Sequence, residues 1–260
     1  MTARTHSDAA RIALACLDLT SLNDGDTDAD VVALCERASG PHGAVAAVCL
    51  WPRFARLARD RVSRAVKVAA VANFPEGSTD VTRTERDVGT IAHAGAAEVD
   101  VVLPYRALLA GDSAACVAVL RAARRGSEGL TLKVILETGE LRDDAVIERA
   151  ARLALAEGAD FLKTSTGKTP VSATPQAAAV MLRVIASDSS ARARVGFKAS
   201  GGIRTVGGAA PYLDAVAQTL GAAALQPARF RIGASSLLAD IEAVLTGAPR
   251  APTPSSRDRY

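Results

Sequence analysis

The chain has 260 residues, 49% of them hydrophobic and 23% charged, which is enough apolar material for one large buried core or two smaller ones. Its 31 basic and 28 acidic residues leave a formal charge of +3 with no long run of either sign. No basic stripe carries interleaved aromatics, so the balance argues against a nucleic-acid binder while staying compatible with a small anionic substrate.

Four cysteines, Cys16, Cys35, Cys49 and Cys116, show no C-x-x-C spacing, and the three histidines, His6, His42 and His93, are scattered. Neither a zinc motif nor a disulfide framework is expected. The opening MTARTHSDAA lacks an apolar leader core, and the apolar stretches are too short to cross a bilayer. No membrane partner and a reducing, cytoplasmic setting are the expectation.

In chain order, eight short apolar runs alternate with longer segments of helical spacing: ALACLDL (13–19), AVAAVCL (44–50), VKVAAVAN (66–73), AEVDVVLP (97–104), LKVILET (132–138), ADFLKTS (159–165), VGFKASG (195–201) and RFRIGAS (229–235). Between the first two, apolar residues at 31, 34, 35 and 38 fall on one helical face. Before the seventh, Thr174-Pro175 offers an N-cap followed by proline at the first helical position.

Strands that are apolar almost throughout, each followed by a helix, predict a parallel sheet covered on its faces. Eight such units predict a closed TIM (β/α)8 barrel in a single domain, with an open doubly wound sheet as the alternative. The C-terminal segment TGAPRAPTPSSRDRY has a linker-like composition. The expected organisation is therefore a barrel over residues 1–246 and a flexible tail over 247–260.

In such a barrel the chemistry sits at the C-terminal strand ends, so the polar residues that interrupt the runs there are the candidates. They are Asp18, Cys49, Asn73, Asp100, Glu137, Lys163, Lys198 and Ser235, one from each run. Asp18 also reads as a turn cap, and Asn73 and Glu137 as loop holders through backbone hydrogen bonds. Cys49 reads as a small buried hydrophobe rather than a nucleophile.

Asp100, in EVDVV, is a carboxylate inside an apolar strand, where an unpaired charge is costly. The strand lysines Lys163 (FLK) and Lys198 (GFK) are its expected partners. Two ammonium groups about 4 Å apart at an effective dielectric near 20 repel by about 4 kcal/mol, or roughly three pKa units. Desolvation in these apolar strands disfavours both charged forms, and with that repulsion added one lysine is expected as a neutral amine able to form a Schiff base. Two glycine-bearing strand ends, SGGIRT (200–205) and IGASSLL (232–238), each lead into a helix and suggest a phosphate site.

The stretches LDLTSLND, VCLWPRF, VANFPEGS, EVDVVLPYRALLAGD, LKVILETGEL, GADFLKTSTGK, VGFKASGGIRT and FRIGASSLL together resemble the 2-deoxyribose-5-phosphate aldolases over roughly residues 14 to 240. The resemblance implies a class I aldolase that reversibly cleaves 2-deoxy-D-ribose 5-phosphate to acetaldehyde and D-glyceraldehyde 3-phosphate in deoxynucleoside catabolism. It implies Lys163 as the Schiff-base lysine, Lys198 as the lysine that lowers its pKa, and Asp100 in proton transfer through a water. Gly201, Gly202, Gly233, Ser235 and Ser236 are implied to hold the phosphate. Asp18, Thr20 and Lys168 are implied to line the substrate site, where Cys49 also falls. The C-terminal Tyr260 resembles a tyrosine that ends some family members and is implied to assist proton transfer at the mouth. No metal or cofactor is implied, and a homodimer or homotetramer is.

The rival motif reading is a nucleotide phosphate loop ending at Gly167-Lys168-Thr169. That motif needs a glycine at position 162, which is Leu162. A different Schiff-base barrel enzyme and a non-catalytic phosphosugar-binding protein remain as functional alternatives.

Overall fold

The computed structural model describes residues 4–247, in which eight parallel strands close into a barrel in chain order. They are β1 (Leu17–Thr20), β2 (Ala47–Leu50), β3 (Lys67–Ala72), β4 (Glu98–Val102), β5 (Thr131–Ile135), β6 (Phe161–Lys163), β7 (Gly196–Ser200) and β8 (Phe230–Ala234), with β1 pairing both β2 and β8. The architecture is the single-domain TIM barrel. The expected tail and Tyr260 lie beyond residue 247, outside the described residues.

The strands are shorter than their sequence runs. Ala13 to Ala15 belong to the helix His6–Ala15, so the first run joins the end of a helix to the start of β1. The helix that carries the apolar face at 31, 34 and 35 runs Asp28–Arg37 and begins where Thr27 and Asp30 form a reciprocal capping box. A two-stranded antiparallel ribbon, Ser39–Gly40 with Gly43–Ala44, adds to the plan.

Several outer helices start where an oxygen-bearing side chain caps them. Asp80 caps Val81–His93, Asp112 caps Ser113–Gly126, Asp143 caps Asp144–Ala156, and Thr205 caps Val206–Leu220. Thr174 caps Pro175–Ser187 with proline at the helix start, as its dipeptide predicts. The buried faces of these helices and the outward strand residues make the main core, including Val68, Val99, Val101, Leu132, Leu162 and Phe197.

The inward strand residues form a second, polar interior. Lys198 on β7 reaches Asp100 on β4, and Arg231 on β8 reaches Glu98 on β4. Such contacts between strands that are not neighbours are made only across the barrel axis. Register aligns the contributors, with Asp100 opposite Lys133, Lys163 opposite Lys198 and Lys198 opposite Arg231.

Two glycines make room for this filling. A Cβ on Gly233 would lie 2.6 Å from Ser200 Oγ and 3.1 Å from Lys198 Cε, so glycine there lets the Lys198 stem pass. A Cβ on Gly196 would strike the ring of Phe161, which lies two residues below Lys163 with the Arg231 guanidinium 5.7 Å from its centroid. Gly196→Ala is expected to lower stability by about 1–3 kcal/mol through overpacking. Phe161→Leu on that background should recover part of the loss in urea titrations, and strictly additive losses would contradict the steric account.

Candidate active site

Asp100 is the meeting point of the site. It is fully buried at the middle of β4, and its Oδ2 accepts from Lys163 Nζ at 2.9 Å and from Lys198 Nζ at 2.7 Å. Its Oδ1 accepts from Lys133 Nζ at 2.7 Å. The structure therefore gathers Lys163, Lys198 and Asp100 into direct contact.

Three charged residues that the strand-end reading passed over complete the interior. Lys133 Nζ lies 2.5 Å from Glu98 Oε2, and Arg231 bridges Asp18 and Glu98 at 2.6 and 2.7 Å. Asp18 Oδ2 also receives Lys198 Nζ at 2.5 Å. Lys133 stands at the middle of β5, as Asp100 and Lys198 do in β4 and β7, while Glu98 and Arg231 stand near the starts of β4 and β8. The signal was available, because each is a charge inside an apolar run, the same cue that marked Asp100.

The electrostatics separate the three lysines. Burial is the largest influence on Lys163 and lowers its pKa, with Lys198 adding in the same direction against the opposing pull of Asp100. Burial also works against charge on Lys198, but Asp100 and Asp18 outweigh it and hold that ammonium well above the ordinary lysine range. Lys133 is likewise raised, as Asp100 and Glu98 overcome burial. Burial would raise Asp100, yet the three lysines hold its carboxyl well below the usual range. Removal from water, expected for a lysine in an apolar strand, is thus the largest influence on Lys163, and repulsion from Lys198 adds to it more weakly than Asp100 opposes it.

Asp18 lies within this ion-paired interior, with no exposure, rather than on an open substrate wall. Thr20 donates its hydroxyl to the Asp18 carbonyl at 2.8 Å. Cys49 is fully buried with Sγ 3.9 Å from Asp100 Oδ2, and burial pushes its thiol pKa up. A thiol held neutral in this way is packing beside the lysines, not a nucleophile.

Loops shape the mouth above. Asn73 and Glu137 end β3 and β5 in left-handed backbone, at φ 52° and 58°. Asn73 donates to the carbonyls of Ser78 and Val102 and accepts from Ser78, pinning the loop after β3. Glu137 accepts from the Thr166 amide and hydroxyl and from the Thr169 hydroxyl, which clamps the loop carrying Lys168. Burial raises the Glu137 pKa. Lys168 Nζ lies 3.5 Å from Asp24 Oδ1 on the loop after β1.

A cavity of about 340 Å³ opens beside this clamp, lined by Gly167, Thr169, Pro170, Ser172, Gly201, Gly202, Arg204, Ser235 and Ser236 among others. Four of the five residues expected at a phosphate, Gly201, Gly202, Ser235 and Ser236, are on its wall. Gly233 instead sits beside Lys198 and Ser200. Gly201 and Gly202 both have left-handed backbone, at φ 88° and 79°. Ser236 stands at the N-cap of Leu237–Thr246 without a side-chain capping bond, so the helix start is presented to the cavity. Half-buried Arg204, two residues past the glycine pair, was not singled out from the sequence and supplies a cation there.

A closed barrel whose axis joins lysines to a buried carboxylate, beside a cavity walled by glycines and serines, defines an enzyme of the barrel lyase class. The chain belongs to the DeoC/LacD family of aldolases, whose match spans residues 12–243, and it is an aldolase. It is similar to a Toxoplasma gondii protein provisionally titled a deoxyribose-phosphate aldolase, with 25% identity, a TM-score of 0.84, and coverage of 94% of this chain and 96% of that one. A Coccidioides immitis protein with the same provisional title gives 28% identity and a TM-score of 0.77, covering 88% of this chain and 85% of that one. The deoxyribose phosphate aldolase of Aeropyrum pernix, described as a tetramer, gives 26% identity and a TM-score of 0.66 over 92% of each chain. Among the described residues no helix is long and apolar enough to cross a membrane.

All four cysteines are free and buried. A thiol-specific reagent at pH 8 should leave them unmodified in the native protein over minutes and count four thiols after unfolding. Fast native-state labelling of Cys49 would contradict the neutral, enclosed thiol.

Proposed function

We propose that the protein reversibly cleaves 2-deoxy-D-ribose 5-phosphate to acetaldehyde and D-glyceraldehyde 3-phosphate through a Schiff base on Lys163. The observation that carries this reading is the opposite tuning of two lysines on one carboxylate oxygen. Lys163 is pushed toward the neutral amine while Lys198 stays an ammonium. A nucleophile and an acid are thereby set side by side.

The Lys163 amine adds to the C1 aldehyde of the open sugar, and loss of water leaves an iminium. The C2–C3 bond then breaks as the C3 hydroxyl gives up its proton. The bonding pair moves into the iminium, giving an enamine and releasing D-glyceraldehyde 3-phosphate. Protonation of the enamine carbon restores an iminium, whose hydrolysis frees acetaldehyde and Lys163. Lys198 is assigned as donor and Asp100 as acceptor, passing both protons through a water.

The phosphate belongs in the cavity walled by Gly201, Gly202, Ser235 and Ser236, with Arg204 as a counter-charge. Lys168, on the loop clamped by Glu137, is assigned to the sugar hydroxyls between the two ends. The titles of the similar structures support the substrate, and the tetrameric relative supports a homo-oligomer. A cytoplasmic role in deoxynucleoside catabolism follows from that substrate. Tyr260 keeps its proposed part in proton transfer, outside the described residues.

Borohydride reduction with acetaldehyde, followed by peptide mapping, should place an ethyl adduct on Lys163. An adduct confined to another lysine would overturn the assignment, and failure to use acetaldehyde as donor would favour a different Schiff-base aldolase. Lys198→Leu should lower kcat by roughly 10²–10⁴-fold, the scale of a lost general acid, with the fold retained by circular dichroism. Near-normal turnover would remove Lys198 from the chemistry.

A further inference from the structure

The ion pairs of the barrel interior form a closed circuit. Asp18 contacts Arg231 at 2.6 Å, Arg231 contacts Glu98 at 2.7 Å, and Glu98 contacts Lys133 at 2.5 Å. Lys133 contacts Asp100 at 2.7 Å, Asp100 contacts Lys198 at 2.7 Å, and Lys198 returns to Asp18 at 2.5 Å. Three carboxylates and three cations thus alternate around a ring, each touching both of its neighbours of opposite sign, and Lys133 also lies 3.8 Å from Asp18 across it. Lys163 stands outside it, attached only through Asp100 Oδ2 among the ion pairs of the described residues.

The count has a direct physical meaning. With all seven groups ionised, four cations face three anions where exposure is 5% or less. With one amine neutral the set balances. Burying an uncompensated charge is costly, so the proton is best lost by the cation whose removal leaves every carboxylate doubly paired. Lys163 meets that condition with every short contact kept, whereas loss from Lys133 or Arg231 would leave Glu98 a single cation and loss from Lys198 would leave Asp18 a second cation only in Lys133 at 3.8 Å.

We infer that the six-membered charge ring of Asp18, Arg231, Glu98, Lys133, Asp100 and Lys198 is a positioning device that makes Lys163 the excess cation and thereby selects it as the free amine. Glu98, Lys133 and Arg231, which have no place in the proposed bond-making steps, act on Lys163 through the ring. The inference rests on the Schiff-base reading. The titratable groups facing Lys163 are Asp100 from β4, Lys198 from β7, Cys49 from β2 and Glu137 from the end of β5. The Cys49 thiol stays neutral, and the Glu137 carboxylate is engaged by Thr166 and Thr169.

Opening the ring at a cation or at an anion should have opposite effects. Lys133→Met leaves Asp100 short of a counter-ion, so Lys163 holds its proton to higher pH. Glu98→Gln takes from Lys133 its nearest carboxylate, so positive charge accumulates and Lys163 loses its proton at lower pH. The measurement is the initial rate of acetaldehyde trapping by borohydride at Lys163 as a function of pH, alongside a thermal transition for each variant. The half-maximum should move up by about one pH unit in Lys133→Met and down by about one in Glu98→Gln, the scale of a unit charge nearby at an effective dielectric near 20. The double variant, with the count restored, should return close to the wild type. Shifts of the same sign, or none, in folded variants overturn the inference.

A measurement on the wild-type protein keeps the test open if the variants do not fold. Iminium formation from a neutral amine takes up one proton per site, whereas formation from an ammonium takes up none. Weakly buffered enzyme mixed with acetaldehyde at pH 8 should take up close to one proton per trapped site, and uptake near zero overturns the inference. Absence of any Lys163 adduct in the wild type at every pH instead refutes the Schiff-base reading itself, so the two failures are distinguishable.

Discussion

A carboxylate cannot sit without water in the middle of a barrel unless cations reach it, and Asp100 is reached by three. Their approach commits much of the surrounding sequence. Glycine at 233 admits the Lys198 stem, and glycine at 196 admits the Phe161 ring below Lys163. Glu98 and Asp18 then supply the anions that Lys133, Lys198 and Arg231 require. Removing any one partner would strand a charge where solvent cannot compensate it, so the interior stands or falls as a unit. The apolar core outside the strands gives the barrel its stability, while the charged interior gives it a fixed electrostatic state.

The mouth is organised by different means. Asn73 and Glu137 turn the chain at strand ends in left-handed backbone, and their side chains spend their hydrogen-bonding capacity on neighbouring loops. The Glu137 clamp fixes the loop from Thr166 to Thr169, which carries Lys168 and forms one wall of the cavity. The opposite wall comes from the glycine pair after β7 and the serines after β8. In the proposed reaction the carbonyl end of the substrate would meet the axis and its anionic end a helix start.

Much of this was legible in the sequence, for identifiable reasons. Parallel barrel strands are buried on both faces, so they appear as unbroken apolar runs, and eight of them separated by helical segments leave few architectures open. The ends were less legible. Ala13 to Ala15 are as apolar as the strand that follows and were absorbed into it, although they finish a capped helix. Two-residue strands such as Ser39–Gly40 carry no periodic signal at all. Within the site, Asp100, Lys163 and Lys198 stood out because they interrupt their apolar runs midway or later. Lys133, Glu98 and Arg231 interrupt the same runs nearer their beginnings. Arg204 escaped because an arginine after a glycine turn looks like any solvated loop residue.

The two-lysine argument from sequence also shows what a pairwise estimate leaves out. Repulsion between two ammonium groups is symmetric, so it explains why one of them yields its proton but not which. Burial is no better a discriminator, since Lys163 and Lys198 are both almost fully enclosed. The asymmetry lies in the counter-ions. Lys198 has Asp18 and Asp100, whereas Lys163 has only a share of Asp100. Desolvation supplies the drive toward neutrality, repulsion adds to it, and the distribution of carboxylates decides where it acts. On the proposed mechanism, the choice of nucleophile is a property of the whole barrel interior, reaching down to residues outside the lining of the cavity above.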